Sequence, residues 1–159
     1  FLRHGQDIEL SNRIINQNVV VKLLENVIVY HRRRTTLSKF FRQVFNWGVA
    51  RINLGKIDSK MLQLVHFLPS IATMVVLTVI IGSFIMPILF VPLIIIGLIL
   101  LSILCFYGGI QTKNASVMFY LFAVIPLQVF GYGFGFILAF VKRFILRQNV
   151  FTGFYKKYY

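Results

Sequence analysis

The longest stretch without a charged residue constrains this sequence most. No Lys, Arg, Asp or Glu occurs in the 52 residues between Lys60 and Lys113, and most of them are apolar. About 20 helical residues, rising about 1.5 Å each, cover the roughly 30 Å hydrocarbon core of a bilayer. The stretch therefore predicts two membrane spans, and Pro87, with Gly82 and Ser83 before it, is the expected turn between them.

A second uncharged stretch, residues 115–141, predicts a third span. The three expected spans are residues 66–86, 88–109 and 115–141. Pro126 lies inside the third span, together with Gly131, Gly133 and Gly135. These glycines either permit close helix packing or are tolerated as small residues of a membrane helix.

The composition agrees with an integral membrane protein. Apolar residues make up 58% of the chain and charged residues 13%, against about half and about a quarter in soluble proteins. Seventeen Lys and Arg outnumber four acids, which gives a net charge of +13, and eleven of the seventeen precede the first apolar stretch. A basic surface beside spans favours lipid headgroups or a nucleoside diphosphate over nucleic acid as its partner. The single cysteine, Cys105, excludes an intramolecular disulfide and a cysteine metal cluster.

Basic residues also follow the last span, in a basic and aromatic tail at residues 146–159 and just before it. Three crossings would place this tail and the basic residues before Lys60 on opposite sides, which the positive-inside rule disfavours. Either one apolar segment is re-entrant or interfacial, or the tail departs from the rule. Three apolar segments within residues 61–145 remain the prediction.

Residues 1–34 have the pattern of a small α/β unit. Helical spacing predicts a helix over residues 7–16, with Asp7 and Glu9 in its first turn, where acids suit the helix dipole. Two β-branched runs, residues 19–21 and 27–30, predict short strands. Because two strands and a helix cannot bury a core, we expect this unit to end a larger α/β domain that begins upstream.

Residues 35–60 change to a helical period. An apolar stripe of Leu, Phe, Val and Ile alternates with Lys39, Arg42 and Arg51, and Thr35 or Thr36 is the expected N-cap. The pattern predicts a basic amphipathic helix that lies in the headgroup plane. The fold class is therefore mainly α: a membrane helical hairpin and a third span, preceded by this helix and the small α/β unit.

Three sequence motifs occur in order within the first 60 residues. They are GQDIEL at residues 5–10, VYHR at residues 29–32, and the amphipathic helix, which contains QVFNW at residues 43–47. In these motifs the chain resembles the C-terminal part of a membrane-bound family 2 glycosyltransferase of the inverting GT-A type. The first motif is close to the GEDxEL of that family, with Gln6 in place of Glu. Beyond residue 60 only the general organisation is similar.

The resemblance implies a role for each motif. Asp7 matches the general base, which takes the proton of an acceptor hydroxyl as its oxygen attacks the anomeric carbon of a nucleotide sugar. The residues implied to contact the donor diphosphate or the acceptor are Gln6, Glu9, His31, Arg32, Arg34, Gln43 and Trp47. A divalent metal, Mg or Mn, is implied as cofactor; its Asp-x-Asp ligands would lie upstream, and His31 is a further candidate ligand.

Each of these residues also has a simpler interpretation. Asp7 and Glu9 can serve only as helix-start charges. The arginines of residues 32–34 alternate faces if extended, so they cannot all bind one ligand, and they can form a solvated or lipid-facing basic edge. His31 can be a hydrogen-bonded strand residue, and Trp47 a membrane anchor. His66, at the start of the first span, is expected to be interfacial.

The expected function is transfer of a sugar from a nucleotide-sugar donor to a lipid-linked or glycan acceptor. The enzyme is expected in the bacterial cytoplasmic membrane with its catalytic side cytoplasmic, and this chain alone is expected to be inactive. Asn46 stands where processive members of the family have Arg, and an amide cannot make a charge-assisted phosphate contact, which argues against polymer synthesis. The alternative is a membrane scaffold or transporter subunit with a basic cytoplasmic cap, although the spans lack the charges that transport pathways usually need.

Overall fold

The computed structural model describes residues 4–17, 19, 20, 22, 24, 26–30, 36–149 and 151–154, and this part of the chain is mainly helical. Its five α-helices are α1 (Gln6–Asn16), α2 (Leu37–Ile57), α3 (Leu68–Ile85), α4 (Pro87–Thr112) and α5 (Ala115–Phe140). Short helical turns at Ser59–Met61 and Leu64–Phe67 join α2 to α3, and another at Val141–Ile145 follows α5. The predicted mainly helical fold class is confirmed.

Helices α3, α4 and α5 are each long and apolar enough to cross a membrane. Their bounds lie close to the predicted spans, and the break falls at Met86, directly before Pro87. The ring of Phe90 lies against Gly82, so α4 folds back on α3, and Met118 lies against Gly109, so α5 folds back on α4. Most apolar side chains of α3 and α4 are exposed, which fits contact with lipid.

Helix α2 forms as predicted and packs along α5. Thr36 is its N-cap, since its hydroxyl oxygen accepts a hydrogen bond from the Lys39 backbone N–H at 3.3 Å. The apolar stripe of α2 is buried against α5 in one cluster, which contains Phe45, Val49, Ile52, Phe136 and Ala139. The stripe that was expected to face the membrane surface is thus covered by another helix of the same chain.

The glycines of α5 make this contact close. A Cβ atom on Gly135 would overlap the backbone of Phe45, and one on Gly48 of α2 would overlap the backbone of Phe136. On the α3 side, a Cβ atom on Gly133 would meet the Thr73 hydroxyl, which donates to the Pro69 carbonyl at 2.8 Å. The small residues therefore serve close packing, the first of the two interpretations.

The two strands predicted before α2 are wrong in the part of the chain that is described, since residues 19, 20 and 27–30 form no strand there. The exposed fraction is 78% for Val20, 83% for Val29 and 94% for Tyr30. Two short strands without further partners bury too little apolar surface to be stable, whatever their β propensity. Of the predicted α/β unit, the described residues contain only α1.

Residues 151–154, here called the C-terminal segment, return to the surface of α2. The Asn53 side-chain amide donates to the carbonyl oxygen of Phe151 at 2.7 Å. Lys56, one turn further along α2, donates from Nζ to the carbonyl oxygen of Arg143 at 2.8 Å. The chain after α5 is therefore held beside the helix that precedes α3.

Candidate functional site

An open cleft of about 320 Å³ lies between the start of α1 and the first half of α2. We call it the Asp7 cleft. Its side chains come from His4, Gln6, Asp7, Gln43, Asn46 and Trp47. The cleft thus joins the GQDIEL motif to the QVFNW motif, although more than 30 residues separate them in the sequence.

The start of α1 is fixed by a glycine. Gly5 is the N-cap of α1 with a φ of 81°, a left-handed conformation that glycine adopts without the penalty of a Cβ atom. An added Cβ atom there would lie 3.1 Å from Leu54 Cδ1 of α2, so the backbone approaches α2 closely. Further along α1, Asn12 Nδ2 donates to Asp58 Oδ2 at 3.2 Å. These two attachments hold Asp7 above the surface of α2.

The carboxylate of Asp7 is exposed. Within the described residues it makes no hydrogen bond or ion pair; only its backbone oxygen is engaged, by the Ser11 hydroxyl at 2.8 Å. Both carboxylate oxygens are thus open to a ligand in the cleft. Glu9 differs, because its Oε1 lies 2.9 Å from Nε of Arg13 and it does not line the cleft.

Gln43, Asn46 and Trp47 form the α2 wall of the cleft. Their spacing of i, i+3 and i+4 places them on one face of a helix, beside the stripe that packs on α5. Trp47 is 48% exposed, so its ring can contact a ligand. The Gln43 amide supplies both a hydrogen-bond donor and an acceptor to the same wall.

Asn46 has a role that the sequence did not reveal. Its Nδ2 donates to the Phe154 carbonyl oxygen at 2.8 Å, and its Oδ1 accepts from the Phe154 backbone N–H at 2.9 Å. A side-chain amide matches a peptide group in this way because each has one donor and one acceptor in line. Asn46 therefore holds the C-terminal segment at the edge of the cleft.

The structure brings together four of the residues singled out from the sequence: Gln6, Asp7, Gln43 and Trp47. It places Glu9 outside the cleft, in the pair with Arg13. His31, Arg32 and Arg34 lie outside the described residues. His4 and Asn46 also line the cleft. In the sequence, only the position of His4 in the turn before α1 and the position of Asn46 on one helical face of α2 could have indicated them.

The described residues do not form a metal site. Among them, no three His, Cys, Asp or Glu side chains cluster closely enough to hold a metal ion. Asp7 is the only acid that lines the cleft, whereas Mg²⁺ and similar cations usually take further oxygen ligands from carboxylates, waters or substrate phosphates. The described lining of the cleft offers a carboxylate that can accept a proton and amides that can form hydrogen bonds.

Comparisons of this chain with protein-family models, with curated proteins and with solved structures find no match. The class of protein therefore rests on two observations. Three apolar helices can cross a membrane, and a polar cleft, whose carboxylate has no partner among the described residues, lies on α2, the helix that packs against α5.

Proposed function

We propose that this chain is part of a membrane-anchored glycosyltransferase that moves a sugar from a nucleotide-sugar donor to a lipid-linked or glycan acceptor. The observation that supports the proposal is the Asp7 cleft. An exposed carboxylate without a partner among the described residues shares a cleft with an exposed tryptophan and an amide side chain. These residue types suit proton removal from a hydroxyl and contact with a sugar.

Asp7 is the general base in this proposal. Its carboxylate takes the proton of the acceptor hydroxyl while that oxygen forms a bond to the anomeric carbon of the donor. The bond between the anomeric carbon and the diphosphate oxygen breaks, and the nucleoside diphosphate leaves with the electron pair. General-base assistance of this kind contributes about 10²–10⁴-fold to the rate.

Gln43 and Trp47 position the acceptor. The Gln43 amide can both donate to and accept from sugar hydroxyls. The indole of Trp47 offers an apolar face for a sugar ring and an N–H for a hydroxyl. Both residues lie on α2, so their positions depend on the packing of α2 against α5.

The membrane helices explain why such a site would be anchored. A lipid-linked acceptor is confined to the bilayer, and a tethered active site meets it at a higher effective concentration than a free one. The cleft lies on α2, which packs directly on the apolar helix α5. The acceptor would therefore enter the cleft from the bilayer surface.

Donor binding requires residues beyond the Asp7 cleft. The resemblance implies a divalent metal that offsets the charge of the departing diphosphate, held by an Asp-x-Asp motif upstream of Gly5. The proposal therefore concerns the complete protein, and the described residues are assigned only the acceptor side of the reaction.

The test compares Asp7→Asn with the wild-type sequence in the complete protein, assayed in membranes. A panel of nucleotide sugars is supplied with and without Mg²⁺ or Mn²⁺, and the released nucleoside diphosphate is measured. We expect Asp7→Asn to lower turnover about 10²–10⁴-fold. Donor binding, measured by isothermal titration calorimetry, should stay within about threefold, because Asp7 acts on the acceptor.

Glu9→Gln is the matched control. It removes the charge of another α1 acid in the same way, at a side chain that pairs with Arg13 and does not line the cleft. Turnover should remain near the wild-type value. Full turnover in Asp7→Asn would remove Asp7 from the role of base, and release of no nucleoside diphosphate from any donor would favour the scaffold or transporter alternative.

A further inference from the structure

A second cleft, of about 350 Å³, lies on another face of α1. We call it the Arg51 pocket. Its polar lining comes from Ser11 and Asn12 of α1, Arg51 of α2, and Lys60, Gln63 and His66 of the connection to α3. It shares no lining residue with the Asp7 cleft.

The two cations of this pocket lack partners. Arg51 is half-buried and Lys60 is exposed. Within the described part of the chain, neither the guanidinium of Arg51 nor the ammonium of Lys60 makes a hydrogen bond or an ion pair. A half-buried guanidinium has given up part of its hydration, so an anion that binds it restores the lost interactions.

His66 adds a neutral donor. The backbone N–H of Gln63 donates to Nδ1 of His66 at 3.0 Å. Because Nδ1 accepts this hydrogen bond, the proton of the neutral ring is on Nε2, which is then a donor. Thus a fork of guanidinium N–H groups, an ammonium and an imidazole N–H all belong to one pocket.

The nearest acid, Asp58, can offset only one of the two positive charges. Asp58 is not part of the pocket lining. Its Oδ1 accepts from the Lys60 backbone N–H at 3.0 Å, and its Oδ2 accepts from Asn12 at 3.2 Å. The pocket therefore keeps a net positive charge, which suits an anion with several oxygen atoms.

The position of the pocket indicates where this anion comes from. Lys60 and His66 flank the beginning of the apolar helical stretch Leu64–Ile85, the level at which lipid headgroups lie. Three apolar side chains close in the sequence to Gln63 and His66 are exposed: Leu64 is 87% exposed, Val65 56% and Leu68 59%. An acyl chain can cover them while its headgroup occupies the polar part.

We propose that the Arg51 pocket binds the phosphate group of an anionic phospholipid. The guanidinium of Arg51 takes two phosphate oxygens, and Lys60 and His66 donate to the others. A lipid bound in this way joins α1, α2 and the start of α3 through one headgroup. The site is independent of the proposed sugar transfer, because it lies outside the Asp7 cleft and involves no reaction.

The test measures lipid binding to the whole chain, purified in a neutral detergent. Short-chain phosphatidylglycerol is titrated, with phosphatidylcholine in parallel, and the retained lipids are counted by native mass spectrometry. We expect one tightly held phosphatidylglycerol. The double variant Arg51→Gln, Lys60→Gln should weaken its binding about tenfold or more, because charge-assisted hydrogen bonds to the phosphate are lost.

Two further variants keep the test independent of folding. The double variant Arg13→Gln, Lys39→Gln removes the same charge outside the pocket and should keep the wild-type affinity. Ile15→Glu places an acid in the α1 wall of the pocket, at a side chain that is 60% exposed, and should weaken binding without removing a cation. Circular dichroism checks that each variant keeps its helices.

The outcomes separate the possible ligands. Equal weakening in both double variants would mean general attraction to a basic protein and would overturn the proposal. Millimolar inorganic phosphate is added as a competitor; if it binds with Arg51 and Lys60 dependence while phosphatidylglycerol does not, the lipid assignment is overturned. Retention of no anionic lipid by the wild-type chain would overturn it as well.

Discussion

Asp7 and Glu9 are two residues apart in α1, yet the structure gives them different environments. Each residue of an α-helix advances about 100° around the axis, so side chains two apart diverge by about 200°. Asp7 faces the cleft on α2, whereas Glu9 pairs with Arg13 within α1. The resemblance assigns both acids to the site, but the helix geometry admits only Asp7.

Glu9→Gln tests this distinction. The Glu9–Arg13 pair is partly solvated, with 23% and 64% of the two side chains exposed, and such pairs contribute about 0–1 kcal/mol. We expect the variant to keep turnover within about threefold of the wild-type value in the complete protein, and to unfold at nearly the same temperature. A loss as large as that of Asp7→Asn would mean that Glu9 reaches the substrate and that the Asp7 cleft is not the complete site.

At the scale of the helices, the fold depends on the contact between α2 and α5. Apolar side chains fill this contact, but glycines set its distance, since a Cβ atom on Gly135 would overlap the α2 backbone. A backbone atom cannot rotate away as a side chain can. An added methyl group there must therefore separate the helices.

Gly135→Ala should lower the free energy of unfolding by about 1–3 kcal/mol, the usual cost of overpacking a well-packed contact. The matched control is Gly97→Ala in α4, where a Cβ atom would have no atom within 4 Å. Alanine is also the better helix former, so the control should be neutral or stabilised by up to about 1 kcal/mol. Thermal unfolding in one detergent compares the two variants. Equal stability of the two would contradict close contact at Gly135.

Side-chain amides of α2 help to hold the C-terminal segment, together with the contact between the rings of Phe45 and Phe154. Asn46→Leu removes two hydrogen bonds to Phe154 and leaves a peptide group without its partner, at a cost of about 1–3 kcal/mol. Hydrogen–deuterium exchange should therefore become faster in residues 151–154, while α3 stays unchanged. Asn12→Leu is the control, because Asn12 bonds Asp58 instead. Unchanged exchange of the segment in Asn46→Leu would mean that other contacts hold it.

The helices could be predicted because their signals are local. Each signal lies within one segment of the sequence: the helical period of apolar residues in α2, the acids in the first turn of α1, and the uncharged stretches of α3 to α5. The strands predicted at residues 19–21 and 27–30 are wrong in the described residues, because β propensity acts only where partners cover a strand. The sequence pointed to the Asp7 cleft through Asp7 and Trp47. It did not reveal the hydrogen bonds of Asn46 or the Arg51 pocket, because these join residues that are distant in the sequence and a periodic pattern contains no information on such contacts.

For the whole molecule, the C-terminal segment constrains how the chain passes through the membrane. It is hydrogen-bonded to Asn46 and Asn53 of α2, the helix that precedes all three apolar helices. The chain therefore leaves the last of these helices on the side where it entered the first. An even number of complete crossings satisfies this condition, so we expect two of the three apolar helices to cross completely.

The packing indicates which helix does not cross. Helices α3 and α4 form a hairpin at Met86, with Phe90 against Gly82. The second half of α5, beyond Pro126, packs along α2 through Gly131 and Gly135, and it also contacts Thr73 of α3 through Gly133. We infer that α3 and α4 cross the membrane. Helix α5 then does not cross completely and stays on the side where α2 lies. Lys113 then joins the other basic residues on one side, as the positive-inside rule requires.

Labelling of single cysteines tests this arrangement. Cys105, the only cysteine, is first replaced by Ala, and single cysteines are placed at Lys39, Lys113, Thr152 and Met86. In sealed vesicles, a membrane-impermeant maleimide should label the first three positions from one side and Met86 from the other. Labelling of position 152 from the side opposite to position 39 would contradict the contact between the C-terminal segment and α2. Labelling of position 113 from the same side as position 86 would show that α4 does not cross. In that case α5 would be the helix that crosses back.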